Sequence, residues 1–438
     1  MKKILSIICI FSTLLVSSFA KNLFNNRYFE IYATVPFTFT NNVVSLEDIF
    51  FTETGQIIID LERFSKIPDK GFAIDIDTKP VAGFKLDIPK GLVFGAGAGA
   101  DIYMGMLFSK DFFDFIGSGY ECGDEIALKA KKFNADAFAY VKADLGWNTK
   151  KASLVIHPSL FVPVFHAEPN NISAVVKNTE DGKFIVDAVA DLSIYTNVDI
   201  AKDGKFTSDN FAENLKDSAL SNAGFDLGIS YSWDIFKFLR IGAGAQIPIV
   251  PGKLKKTTSL SYSMKYELNP GELITNSLNN DSSASEGEKK DSTESENSEQ
   301  KNDAIFTDTI DLDTVYSINR PLKFSISADL HTEHEYLSVY GKLGFTAKHA
   351  FEPSTKLEDI PNNFSVDYLL GGRLSLLGLI NLDLSTERTD QIFAHKATVG
   401  FSIRLVEVNA GVSLASTNFL KSFEATGVGA FVNVAVGL

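Results

Sequence analysis

Cysteine is almost missing: 438 residues contain two, Cys9 and Cys122. Cys9 lies in a leader-like start, so a chain beginning at Lys21 keeps one thiol and cannot close an internal disulfide. Long apolar runs are missing as well. Beyond the first twenty residues no stretch approaches the roughly 18 apolar residues that a membrane helix needs, so helical spans are excluded. Basic residues are short of the acidic ones, 41 against 55, for a net charge of −14. Without Lys2 and Lys3 the balance is 39 against 55, or −16. Phosphate backbones need clustered Lys and Arg, so nucleic acid is not an expected partner. What is plentiful is aromatic and small: 36 Phe and 31 Gly within a chain that is 45% hydrophobic.

The start reads as an export signal. Lys2 and Lys3 precede an apolar stretch from Ile4 to Val16, and Ser18-Phe19-Ala20 supplies small residues where a signal peptidase reads. Cleavage is expected after Ala20, leaving 21–438 as one domain. Export into an oxidising compartment without a disulfide requires another source of stability, and a closed hydrogen-bonded barrel supplies one.

Hydrophobicity is spread in alternation. Phe29, Ile31, Ala33, Val35, Phe37 and Phe39 take every second place, as do Leu322, Phe324, Ile326, Ala328 and Leu330. Ala397, Val399, Phe401, Ile403 and Leu405 repeat the pattern. Period two puts each set on one face of a sheet. Ordinary strands centre near five or six residues, whereas crossing a bilayer at a tilt takes about 9 to 11. The alternating segments here are long: 28–39, 71–88, 91–105, 133–147, 151–165, 183–199, 222–233, 238–250, 257–268, 320–331, 335–348, 364–375, 378–389, 391–404, 407–416 and 423–438. They imply an all-β fold, a transmembrane antiparallel barrel of 14 to 16 strands, with an even number if both termini share the periplasmic side.

The connections sort by length. Tight turns are expected near Ile235–Gly244, Leu376–Leu384 and Ile403–Gly411, on the periplasmic side. The long connections then lie outside. Residues 269–306, with an Asn276–Asp303 heart of Ser, Asn, Asp, Glu and Lys, cannot bury enough apolar surface to order and are expected as a disordered acidic extracellular loop. Lys202–Leu220 is a second polar insertion. Leu46–Phe51 and Asp111–Ile116 are expected as helical turns at the rim or in the lumen.

Recognisable chemistry is sparse. Gly95-Ala-Gly-Ala-Gly99 looks like a dinucleotide loop, but strand pattern follows where the helix should start. His331-Thr-Glu-His334-Glu335 gathers metal-type ligands at a hairpin tip without a helix to align them. No Gly-x-Ser-x-Gly elbow occurs. No enzyme activity, cofactor or metal is therefore expected. The polar faces of the strands carry more information. Lys323, Asp329, Asn381, Asp383 and Arg404 alternate with apolar neighbours, so they are expected to face a lumen, where they either set a field across a pore or pair to fill it.

Three segments carry a resemblance: Tyr28-Phe-Glu-Ile-Tyr-Ala33, Asn41-Asn-Val-Val-Ser-Leu-Glu-Asp-Ile-Phe50, and, after the acidic insertion, Ile318-Asn-Arg-Pro-Leu-Lys-Phe324. The chain resembles spirochaete-type outer-membrane barrels. The last segment is also similar to the long-chain fatty-acid transporter (FadL-like) family, which implies a barrel of 14 strands that passes hydrophobic molecules. Outer-membrane lipid, the barrel assembly machinery and a small hydrophobic cargo are the partners implied. The alternatives are a surface-exposed structural or host-interaction barrel, and a soluble exported β-protein.

Overall fold

The computed structural model describes residues 28–41, 71–88, 91–110, 125–179, 184–207, 220–268, 301–332, 336–348, 350, 364–376, 379–389, 392–403, 405–424 and 426–437. The leader, the rim turns near 46–51 and 111–116, residues 208–219 and 269–300, and Arg404 lie outside the described residues.

The chain alternates direction from start to finish. The strands are β1 (Phe29–Asn41), β2 (Phe72–Thr78), β3 (Val81–Ile88), β4 (Leu92–Phe108), β5 (Glu125–Asn148), β6 (Ala152–Asn178) and β7 (Phe184–Thr196). A short hairpin follows, β8 (Ala201–Lys202) and β9 (Lys205–Phe206). Next come β10 (Gly224–Phe236), β11 (Leu239–Val250), β12 (Gly252–Leu268), β13 (Lys301–Phe306) and β14 (Ile310–Ile318). The remainder are β15 (Leu322–His331), β16 (Leu337–Ala347), β17 (Phe364–Leu376), β18 (Ile380–Thr389), β19 (Ile392–Ser402), β20 (Val406–Ser416) and β21 (Gly427–Gly437).

Fourteen staves close into an antiparallel barrel. β2 and β3 count as one stave, since both pair with β1 and with β4 and the break falls at Lys79-Pro80. Closure joins the first stave to the last, from Glu30 opposite Gly437 to Thr40 opposite Gly427. There the Thr34 hydroxyl donates to Asn433 at 2.9 Å, within the buried seam. A closed barrel has no unpaired edge, which satisfies the backbone without water. The tight turns near 235–244, 376–384 and 403–411 fall at the end that holds the two termini, whereas β18 and β19 meet at the opposite end, with Thr389 opposite Ile392.

The outward faces are apolar all round. On β15, Phe324, Ile326, Ala328 and Leu330 are exposed, while Lys323, Ser325, Ser327 and Asp329 are half-buried. Leu382 and Leu384 on β18, Val399 and Phe401 on β19, Val412 on β20 and Val434 on β21 are likewise exposed. Apolar surface on this scale is foreign to a monomer in water. Apolar outside and polar inside is the signature of a wall in lipid.

One side departs from the regular wall. β5 and β6 run 24 and 27 residues, well past the length that a bilayer needs. β6 pairs with β10 from Ala152 to Phe161, then with β7 from Phe165 onward. Pro163 marks the change, because it has no N–H to give to a ladder. Asn197 ties the junction. Its amide donates to the Pro163 carbonyl at 3.3 Å and to the Lys253 carbonyl at 2.7 Å, and its carbonyl accepts from the Lys255 N–H at 3.2 Å. Beyond it β7 pairs with β12, and β12 with β13 and β14. The result is a sheet that continues past the barrel rim.

This extension corrects two expectations. Segments 183–199 and 257–268 belong to it and not to the wall, because β7 and β12 pair with each other and with the far half of β6. The acidic segment expected without structure over 269–306 ends in β13, whose Ile305 lies opposite Ser261 on β12.

Candidate functional site

The lumen is the one enclosed space that the wall defines, and the extension reaches into its mouth. β12 and β14 bring Leu254 and Ile318 inward against Val81, Tyr103, Phe138, Tyr140 and Phe161, all of them buried. Phe138 and Phe161 meet edge to face with centroids 5.8 Å apart. Glycine makes the layer possible. A Cβ on Gly99 would come within 2.7 Å of the Tyr140 hydroxyl and 2.6 Å of Val81 Cβ, so only a bare backbone admits those side chains. This is a structural use for the glycine run in β4.

Arg320 pins the same layer. It sits in the turn Asn319–Pro321 between β14 and β15 and is 6% exposed. Its Nε and Nη2 donate to Asp101 Oδ2 on β4 at 3.0 and 2.8 Å. Its Nη1 donates to Asp226 Oδ2 on β10 at 2.7 Å and to the Ser159 hydroxyl on β6 at 3.2 Å. The guanidinium also lies 4.1 Å from the centre of the Tyr140 ring. Its partners lie on four consecutive staves, β4, β5, β6 and β10, so this arginine fastens the β14–β15 turn to one continuous patch of the inner wall. Gln246 on β11 donates to the same Asp226 oxygen at 3.4 Å.

Above this layer, where the extension leaves the rim, His166 bonds Asp136 through Nδ1 at 2.5 Å, and its Nε2 lies 3.0 Å from the Tyr316 hydroxyl. Tyr316 donates to Glu168 at 2.7 Å and stacks on Tyr195 at 4.4 Å. These contacts tie β5, β6, β7 and β14 together. Among the described residues no cluster of His, Cys, Asp and Glu is arranged to hold a metal ion. Glu333, His334 and Glu335 lie outside the described residues, so the His331–Glu335 group is not on view as a whole.

Beside the Arg320 turn lies a cavity of about 60 Å³, bounded by β2 and β4 on one side and by β15, β16 and β19 on the other. Asp75, Asp77, Asp101, Lys79, Lys323 and Lys348 bring charge to its lining, with Tyr103, Met104, Met106, Leu107 and Ile392 between them. Lys79 is ion-paired with Asp77, and the Lys348 ammonium sits 4.4 Å above the Tyr103 ring.

The five residues singled out for the lumen do not form one group. Lys323 is at the cavity, near the rim. Asp329 lies at the opposite end of β15, with its carboxylate 3.7 Å from His331 Nδ1 and Arg240 across from it in register. Asp383 is held by the Tyr340 hydroxyl at 2.7 Å and by Arg373 Nε at 3.1 Å. Asn381 is two residues from it on the same face of β18, opposite Gly400. Arg404 is outside the described residues. Sequence reasoning missed Arg320, Asp101 and Asp226. An Arg-Pro pair before a strand reads as an ordinary loop, and its partners are 219 and 94 residues away. The one local signal was Asp101, an acid in a strand otherwise filled with Gly, Ala and apolar residues.

No family model matches the chain, and no curated protein matches it. Solved structures with a similar course include the Pseudomonas putida toluene transporter TodX, at 6% identity over 94% of this chain and 89% of that one, with a TM-score of 0.41. A Pseudomonas aeruginosa FadL homologue is 9% identical over 94% and 90%, with a TM-score of 0.42. The translocator domain of the autotransporter NalP from Neisseria meningitidis is 6% identical over 94% and 90%, with a TM-score of 0.32. Likenesses this distant assign neither a family nor a cargo.

Proposed function

We propose that this barrel sits in a bacterial outer membrane and passes small molecules, of hydrophobic or amphipathic character, through its lumen. The observation that carries the reading is the closed wall itself, apolar outside, with a cavity left beside a plug made of its own chain. The cavity lining supports the cargo class, since Tyr103, Met104, Met106, Leu107 and Ile392 offer apolar surface between fixed charges. Passage then requires the Arg320 turn to withdraw from Asp101 and Asp226, and Lys323, Asp329, Asn381 and Asp383 line the route. Lipid and the barrel assembly machinery are the partners that such a wall needs, and the alternation Val432, Val434, Val436 in its last strand suits assembly.

Planar bilayers and vesicle uptake test this. Purified mature protein should admit small solutes into vesicles, and Arg320→Ala should raise the rate. Vesicles that stay sealed to small apolar and polar solutes with both proteins would contradict passage. A second reading is favoured by the extension sheet, which rises past the rim in strands no channel requires: a surface barrel whose function is carried by that sheet. Sealed vesicles, together with a phenotype on removing the extension, would favour it.

A further inference from the structure

We infer that the cavity at Lys323 is a binding site for a compact monovalent anion, a halide or a carboxylate. Lys323 enters the cavity from β15, between Gln246 on β11 and Thr346 on β16. Every neighbouring charge has a partner. Lys79 holds Asp77. Arg320 holds Asp101 and Asp226. Lys348 rests on the Tyr103 ring, and Asp75 is engaged as well. Among the described residues, Lys323 alone of these cations makes no hydrogen bond or ion pair. An ammonium has three donors and no acceptor. Half-buried and without a direct counter-charge, it favours an anion beside it.

Local pairing and size select the ligand. The charged side chains of the lining balance, Asp75, Asp77 and Asp101 against Lys79, Lys323 and Lys348. Lys323 is the base without a direct partner among the described residues, so one negative charge set against its ammonium forms a local pair. A dianion would add twice that charge to a balanced lining beside Asp75, Asp77 and Asp101. A metal cation would meet carboxylates that are already occupied and an ammonium that repels it. The cavity, about 60 Å³, admits a compact ion. Its Met104 and Leu107 walls suit weakly hydrated anions. Binding requires no passage, because the cavity exists with the Arg320 turn in place, so this site goes beyond the channel reading.

Chloride is the probe. Chloride NMR line broadening reads weak binding to the purified full-length mature barrel, and added acetate reports competition. Wild type, Lys323→Arg and a control at the exposed Lys342, Lys342→Met, should broaden the line and release chloride to acetate. Lys323→Met should lose most of the acetate-sensitive broadening. Heat-modifiable gel mobility shows whether that variant has closed its barrel. If it has not, the Lys323→Gln variant takes its place. Broadening that is absent in wild type, or unchanged by loss of Lys323, overturns the site. A separate arm reads selectivity. Under a potassium chloride gradient, Lys323→Met should shift the reversal potential toward cations. A conducting barrel with no shift also overturns the site. A barrel that conducts nothing fails the channel reading, while the NMR result still decides the anion.

Discussion

The run from β15 to β21 and the run from β4 to β14 are built on different rules. In the first, each strand of 10 to 13 residues pairs with the next, joined by tight hairpins at one end. Its contacts are local, its outer face is apolar and its polar residues pair within the wall, as Tyr340, Arg373 and Asp383 do. In the second, strands reach 27 residues, change partners midway and turn a segment inward against the lumen wall. The comparison teaches that one alternation serves two solvents. On the staves it separates lipid from lumen. On β7, β12, β13 and β14 it separates two faces of a sheet beyond the rim, where burial is weaker and polar residues are frequent on both sides.

Breaking the buried Arg320 ion pairs should show the largest difference between the regions. Arg320→Ala leaves Asp101 and Asp226 buried, facing each other, without their cation. Removing one partner of such a group costs about 3–5 kcal/mol. Lys256 on β12 makes a matching but solvent-exposed contact with Asp199 at 2.7 Å. Lys256→Ala should cost under about 1 kcal/mol. Denaturant titration of barrels refolded into vesicles checks both, and equal costs would erase the distinction.

A smaller effect sharpens the boundary between lipid and water. Ile326 on β15 and Ile305 on β13 are similarly exposed, at 63% and 59%. A lysine at Ile326 faces hydrocarbon and should cost about 2–4 kcal/mol. A lysine at Ile305 faces water and should fall within about 0.5 kcal/mol of wild type. The same titration reads both, and a large penalty at Ile305 would place the extension in the membrane or in a partner.

The regular region was legible in the sequence for a physical reason. Its strands are defined by period two and by turns that sit between consecutive partners, both local properties. The hairpin at Phe236–Leu239 and the phase change between Leu405 and Val406 could be read directly. The irregular region hides its organisation in pairing. Alternation over 183–199 and 257–268 looks the same as on a stave, and only the partners of β7 and β12 show that they leave the wall. β6 looked like one strand of ordinary span, 151–165, because no local feature shows that it runs on to Asn178 and exchanges β10 for β7. The composition of 269–306 concealed β13, since Lys301, Asn302 and Asp303 read as loop residues. At the lumen, Lys323 and Asp383 stood out by alternation, whereas Arg320 depended on contacts that no local window contains.

The separation of faces along β15 is the most direct point of attack. Single thiols at Phe324, Ser325, Ile326 and Ser327, in a background without Cys122, can carry a lipid-sensitive fluorophore. Spin-labelled lipids should quench the labels at Phe324 and Ile326 and spare those at Ser325 and Ser327. Equal quenching on both faces, or none on either, would contradict a wall with lipid on one side and a lumen on the other.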